Sequence, residues 1–87
     1  MSLSRTQLAV LSALAVLEPA QARSVRQLSE ETGLAASTVR AALNAHSYMG
    51  WALSSRRSPA NWRITALGRA VLSAPRYRDV LSHRSRR

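Results

Sequence analysis

The apolar positions near the N-terminus recur with a helical period. Ser4 and Gln7 form a capping-box pattern, so a first helix is predicted to begin after Ser4 and to continue to about Leu17, before Pro19. Its apolar residues fall into two neighbouring stripes: Leu8, Leu11 and Ala15 in one, and Val10, Leu14 and Leu17 in the other. A surface helix needs only one stripe to cover its own core, so the second face is expected to pack on another chain.

Two further helices are predicted on either side of a glycine. Ser24 and Gln27 repeat the capping-box spacing at the start of a short second helix. Gly33 is able to adopt the left-handed conformation that ends such a helix. The third helix is predicted to begin at Ala36 or Ser37, with an inner face formed by Val39, Ala42, Leu43 and His46.

After Gly50 the apolar period changes from helical to alternating. Residues 51–54 and 62–65 predict two strands, and the polar loop 55–61 between them predicts a hairpin with a long tip. Thr65 is expected to cap a fourth helix that ends at Ala74-Pro75, with the inward residues Leu67, Val71 and Leu72. The predicted fold is mainly α with a small β-hairpin: a three-helix core, a two-stranded wing and a C-terminal helix. Residues 1–75 form this domain, and 76–87 form a short helical segment (77–82) and a basic tail.

The charge of the chain indicates a polyanionic partner. Thirteen basic residues, all arginine, face four acidic ones, which gives a formal net charge of +9. Nucleic acid is the usual partner of so basic a domain, although a membrane surface or an acidic protein would also be attracted. A GC-rich genome would produce the same excess of arginine and alanine. The chain has no cysteine, which excludes disulfides and thiolate metal sites.

The N-terminus permits a second interpretation. Arg5, the apolar run 8–17 and Ala20-Gln21-Ala22 imitate a secretory signal with its cleavage site, which would make the chain a secreted cationic peptide. The run is too short to cross a bilayer. Cleavage after Ala22 would also remove the longest apolar helix from the core. We therefore interpret this segment as the first helix of the domain. The protein is expected to be cytoplasmic and nucleoid-associated, with no membrane partner.

The titratable residues form no catalytic or metal-binding pattern. Glu30 and Glu31 are adjacent on a helix, so their carboxylates diverge instead of sharing a proton. His46 and His83 have no carboxylate cluster beside them in the sequence. No enzymatic activity, cofactor or metal is expected.

The predicted order of elements places a short helix, a glycine turn and an amphipathic helix in a helix-turn-helix unit. Residues 25–40 and 62–70 resemble the helix-turn-helix and the end of the wing in MarR- and PadR-type bacterial transcriptional regulators. The resemblance covers residues 6–73 and implies a dimeric repressor that binds palindromic double-stranded DNA. The chain departs from the family at His46, where leucine is usual, and in its short flanking helices. A homodimer is therefore expected to form through helix 1 and the C-terminal segment.

The resemblance also implies which residues contact DNA. The candidates in the third helix, which would enter the major groove, are Ser37, Thr38, Arg40, Ala41 and Asn44. Arg40 suits guanine and Asn44 suits adenine. The candidates in the wing, which would touch backbone or minor groove, are Arg56, Arg57 and Asn61. Ser24 and Arg26 are expected to hold a phosphate at the start of the second helix.

Other functions fit parts of the same pattern. Residues 58–62 and the spacing from Gly50 to Trp62 are similar to Zα-type domains, which bind left-handed duplexes through a proline-bearing wing. Those domains use an asparagine and a tyrosine where this chain has Arg40 and Asn44. A protein-interaction module and a role in plasmid or phage partition or replication are further alternatives. The third helix carries no acidic residue from Ala36 to Ser47, which favours DNA as the partner.

Overall fold

The computed structural model describes residues 3–18, 20–75 and 77. Within them the chain forms four helices and one small antiparallel sheet, in the strand order β1-β3-β2. The elements are α1 Arg5–Ala15, β1 Arg23–Ser24, α2 Val25–Thr32, α3 Ala36–Tyr48, β2 Ala52–Ser54, β3 Asn61–Ile64 and α4 Ala66–Leu72. The mainly helical class predicted from the sequence is confirmed.

Local hydrogen bonds define where the helices begin and end. Ser4 and Ser24 each accept a hydrogen bond from the backbone N–H three residues on, at 3.1 Å. The amide oxygens of Gln7 and Gln27 accept in return from the two serine N–H groups, so both predicted capping boxes are present. Gly33 ends α2 with a φ of +76°, as predicted. α1 ends at Ala15, two residues before the predicted Leu17.

α1 lies between two apolar clusters, and this arrangement corrects one expectation. Val10, Leu14 and Leu17 belong to a main cluster with residues of α2, α3 and β2, namely Leu28, Val39, Ala42, Leu43 and Ala52. The other stripe joins a second cluster, which contains Leu11, Leu72 and Tyr77 with Leu8, Ala15, Trp51 and Val71 packed against them. Both stripes thus pack within one chain, with Val10, Leu11 and Leu14 fully buried and Leu8 and Ala15 half-buried. Neither stripe needs a partner copy to cover its central residues, contrary to the prediction.

The sheet has three strands, where the sequence predicted a two-stranded wing. The additional strand, β1, has two residues and pairs with β3, in the register Arg23 opposite Trp62 and Ser24 opposite Asn61. So short a segment has no alternation from which to predict a strand. β2 pairs with the other edge of β3, with Ala52 opposite Ile64. β1 therefore attaches the wing to the start of α2.

The packing of α4 differs from its predicted orientation. Thr65 caps the helix by accepting from the N–H of Gly68 at 3.0 Å, as predicted. The side chain of Leu67, predicted to point inward, is 54% exposed, whereas Gly68 and Leu72 are buried and Val71 is half-buried. A Cβ at Gly68 would collide with the carbonyl of Trp51, so this glycine lets α4 lie close to the chain before β2. The helix ends at Leu72, before the predicted Ala74-Pro75.

Two long-range contacts hold the ends of the domain together. The guanidinium of Arg69 in α4 donates to the carbonyls of Ala15 and Leu17, at 2.9 and 3.4 Å, at the C-terminal end of α1. The buried Tyr77 hydroxyl accepts from the N–H of Leu3 at 2.9 Å. The rest of the predicted segment 77–82 and the basic tail lie outside the described residues. Among the residues that are described, no helix has the length and apolar character needed to cross a membrane.

Candidate nucleic-acid interface

α3 has one buried face and one exposed face. Val39, Ala42, Leu43 and His46 are buried, as predicted from the sequence. The side chains on the opposite face are exposed at helical spacing, namely Ser37, Arg40, Ala41 and Asn44. Thr38 is half-buried at the edge of this face. The exposed face carries a cation and a carboxamide one helical turn apart, which are the groups that read guanine and adenine edges.

A groove lies beside this face, between α2, the part of α3 from Ala36 to Asn44 and the inner side of the wing. We call it the recognition groove. Four predicted contact residues line it: Ser24, Arg26, Arg40 and Asn44. The wing contributes the apolar residues Pro59, Ala60 and Trp62 to the opposite wall. The fold thus brings four helix candidates and three other wing residues, up to 38 positions apart in the chain, to one surface, and none of the predicted wing candidates lines it.

One carboxylate reduces the positive charge of the recognition groove. Glu30 lines the groove, and its Oε2 lies 3.6 Å from Nε of Arg26, one helical turn away. Both side chains are largely exposed, so this ion pair contributes little to stability. Glu31 instead faces Arg23 of β1, at 2.7 Å. Glu30 therefore places a negative charge beside Arg26, which the sequence predicted to hold a phosphate.

The predicted wing residues do not form one group. Arg57 and Asn61 lie on the outer side of the wing, in a second depression that we call the outer hollow. Its lining comes from the segment before β1, from α2 and from the wing: Ala20, Ala22, Gln27, Leu53, Ser54, Ser55, Arg57, Asn61 and Arg63. Arg56 is exposed at the tip and lines neither surface. The wing therefore presents different residues to its two sides.

The structure adds three candidate contact residues that the sequence analysis did not include. Tyr48 is 90% exposed and follows Arg40 and Asn44 at intervals of four residues, so it continues their face of α3. The i, i+4, i+8 spacing was a sufficient signal for it. Arg63 and Gln27 were missed because only the pairing of the strands brings them beside Arg57.

His46 is fully buried between α1 and α3. Its Nε2 lies 2.9 Å from the carbonyl oxygen of Gln7, whereas Nδ1 has no hydrogen-bond partner among the described residues. Burial lowers the pKa of the imidazole below its usual value, and the hydrogen bond to Gln7 opposes this shift. The described part of the chain contains no group of three histidine or carboxylate side chains placed to hold a metal. The position of His46 is that of a structural residue.

Comparison with solved structures identifies the architecture. The MarR family transcriptional regulator SPO1453 from Silicibacter pomeroyi DSS-3 matches with a TM-score of 0.74 and 18% identity, over 97% of this chain and 59% of that one. The PcaV transcriptional regulator from Streptomyces coelicolor matches with a TM-score of 0.66 and 27% identity, over 79% and 50%. The Zalpha domain of Carassius auratus PKZ, in complex with Z-DNA, matches with a TM-score of 0.61 and 18% identity, over 70% and 94%. No family model and no curated protein sequence matches the chain.

These similarities confirm that the chain has a winged helix-turn-helix fold. α2 and α3 form the helix-turn-helix, and β2 and β3 form the wing. The chain spans about half the length of the transcription regulators that it matches. The solved structures similar to it include several transcription regulators.

Proposed function

We propose that this chain binds double-stranded DNA sequence-specifically and acts as a transcription regulator, with α3 in the major groove and the wing on backbone or minor groove. The observation that carries the proposal is the recognition groove. In it, Arg40 and Asn44 of α3 lie beside Arg26 and the wing. α3 carries no acidic residue from Ala36 to Ser47. One α-helix fits the width of the major groove, and its outward side chains reach the base edges.

The charge distribution supports DNA over a protein partner. A face of α3 that recognised a basic protein would carry carboxylates, and a face that packed on an apolar partner would carry large apolar residues. The exposed face instead holds Ser37, Arg40, Ala41 and Asn44, and its large side chain, Tyr48, also carries a hydroxyl group. The net charge of +9 adds phosphate attraction that does not depend on sequence. Location in the cytoplasm, on the nucleoid, forms part of the proposal.

Binding is tested by fluorescence anisotropy with a labelled random duplex and with the DNA upstream of the chain's own gene, at several salt concentrations. Affinity is expected to fall steeply as salt rises, because bound phosphates release counterions. The variant Arg40→Ala should flatten the preference among sequences, whereas Arg57→Ala should weaken binding to all of them alike. Arg5→Ala, which removes the same charge at the start of α1, is the control. Failure of the wild-type chain to bind at low salt would overturn the proposal.

We further propose that the regulator is a homodimeric repressor on a palindromic operator. Val10 and Leu14 are fully buried, so they are unable to form the interface expected on helix 1. Val16, which follows α1 and is 79% exposed, is the apolar side chain there that a second copy would contact. Sedimentation equilibrium should give the mass of a dimer for the wild type and of a monomer for Val16→Asp. A monomeric wild type would contradict this part of the proposal.

A second candidate is binding of left-handed duplexes. It is favoured by the placement of Pro59 and Trp62 opposite Asn44 in one groove, and by the similarity to the Zalpha domain in complex with Z-DNA. Circular dichroism of an alternating CG duplex distinguishes the two candidates. The main proposal expects the B-form spectrum to persist at saturating protein. Inversion of that spectrum would instead assign the recognition groove to Z-form DNA.

A further inference from the structure

The outer hollow has the chemistry of a phosphate site, and the assignments above leave most of its residues without a role. Two guanidinium groups, those of Arg57 and Arg63, line it, and no acidic residue does so within the described part of the chain. Asn61 and Arg63 are exposed on β3. Trp62 and Ile64, which alternate with them along the strand, pack against the main cluster. The strand alternation therefore directs both polar side chains away from the core.

Gln27 contributes an oriented donor to the same hollow. Its Oε1 accepts a hydrogen bond from the N–H of Ser24 at 2.9 Å, as part of the α2 capping box. Because the oxygen is fixed in this way, the side-chain NH2 group is left to donate elsewhere. The hollow thus combines two arginines with carboxamide donors from Gln27 and Asn61, a set that suits the oxygens of a phosphodiester.

The outer hollow and the recognition groove meet over the first turn of α2. Arg26 lines the groove and Gln27, the next residue, lines the hollow. In the wing, Ala60 lines the groove and Asn61 lines the hollow. We infer that the outer hollow binds the phosphate backbone of the same duplex that α3 reads, so that DNA is held on both sides of the wing. This inference rests on the proposed function and extends it to Gln27 and Arg63.

Five carboxamide side chains allow both ideas to be tested in one experiment. The chain contains Gln7, Gln21, Gln27, Asn44 and Asn61. The NH2 signals of the ¹⁵N-labelled full chain are followed by NMR during titration with a random 16-base-pair duplex at 0.1 M salt. Shifts are expected for Asn44 in the groove and for Gln27 and Asn61 in the hollow. Gln7 and Gln21 line neither surface and are the internal controls.

The outcomes separate the two claims. If Asn44 shifts and the signals of Gln27 and Asn61 do not, the outer hollow is not a DNA site, although the proposed function stands. If Gln27 and Asn61 shift and Asn44 does not, the hollow binds DNA and the assignment of α3 is wrong. If no signal moves at a concentration that saturates binding, or the chain does not bind the duplex at all, both claims are overturned.

The variant Arg63→Gln gives a second, quantitative test. Arg63 is exposed on β3, so the substitution should preserve the melting temperature. Loss of one phosphate contact should make the slope of log affinity against log salt shallower by about 0.9. At 0.1 M salt the affinity of Arg63→Gln should then be roughly eightfold lower than that of the wild type. Arg5→Gln removes the same charge outside both surfaces and should change affinity less. Equal effects of Arg63→Gln and Arg5→Gln would overturn the inference. The same titration is repeated with inorganic phosphate in place of duplex. If the signals of Gln27 and Asn61 shift with phosphate but not with duplex, the ligand of the outer hollow is a free phosphate ion and the inference is overturned.

Discussion

His46 in α3 donates a hydrogen bond from Nε2 to the backbone carbonyl of Gln7 in α1, 2.9 Å away. The imidazole is fully buried, and its Nδ1 atom has no partner among the described residues. A second proton would therefore place an unpaired charge inside the helical core. The neutral imidazole, with its proton on Nε2, is the form that the packing of α1 on α3 accommodates.

This contact makes stability depend on pH. Burial lowers the pKa of His46 in the folded state, so below about pH 6.5 the unfolded chain binds more protons than the folded one. The free energy of unfolding should therefore fall as pH decreases from 7.5 to 5.0, as measured by urea denaturation. His46→Gln, which can still donate to Gln7 but does not titrate, should show a weaker pH dependence. An equal dependence in both proteins would contradict this explanation.

A second prediction concerns Gly68, where α4 lies close to the backbone carbonyl of Trp51. Alanine is usually about 1 kcal/mol better than glycine inside a helix. At Gly68 the sign should reverse, because a Cβ would lie 2.8 Å from Cγ1 of Ile64 and would also collide with the Trp51 carbonyl. Gly68→Ala is expected to destabilise the fold by about 1 to 3 kcal/mol in thermal or urea unfolding. If Gly68→Ala instead stabilised the fold, α4 would have room to move away from Trp51.

The carboxylate in the recognition groove should weaken DNA binding. Glu30→Gln removes a negative charge and releases Arg26, which lies 3.6 Å from it. The affinity for random duplex is expected to rise by about 1 kcal/mol at low salt, or roughly fivefold, as measured by anisotropy. Glu18→Gln removes the same charge outside the groove and is the matched control. If both variants gain equally, only net charge matters, and Glu30 has no local role.

The two tryptophans should respond differently to DNA. Trp62 lines the recognition groove, whereas Trp51 packs against the second cluster. In the variant Trp51→Phe, the remaining fluorescence should change when duplex is added, because the ligand alters the surroundings of Trp62. In Trp62→Phe, the signal of Trp51 should change little. The reverse pattern would place the ligand on another surface.

Tyr48 should affect binding without affecting stability. Since its side chain is 90% exposed, Tyr48→Ala should change the free energy of unfolding by no more than about 0.5 kcal/mol. Its position on the face of Arg40 and Asn44 leads us to expect weaker binding of duplex in the same anisotropy assay. Leu67→Ala removes another exposed large side chain, outside the recognition groove, and should leave the affinity unchanged. Equal affinities of the two variants would exclude Tyr48 from the interface.

The helices of this protein were predictable because their signals are local. The capping boxes at Ser4 and Ser24 and the left-handed Gly33 each depend on residues within a few positions of one another. The buried face of α3 follows in the same way from the spacing of Val39 to His46. The sequence therefore determined the order of the helices, the wing hairpin and the candidates on α3.

The tertiary structure decided what depends on contacts between distant segments. β1 exists because two residues meet the free edge of β3, and Leu67 is exposed because the close contact between Gly68 and the Trp51 carbonyl sets the rotation of α4. One stripe of α1 packs on α2 and α3, and the other is covered because α4 and Tyr77 return to it after more than fifty residues. The separation of Arg57 from Arg40, on opposite sides of the wing, has the same origin. A period along the chain specifies which side of an element is buried, and only the packed structure specifies what that side is buried against.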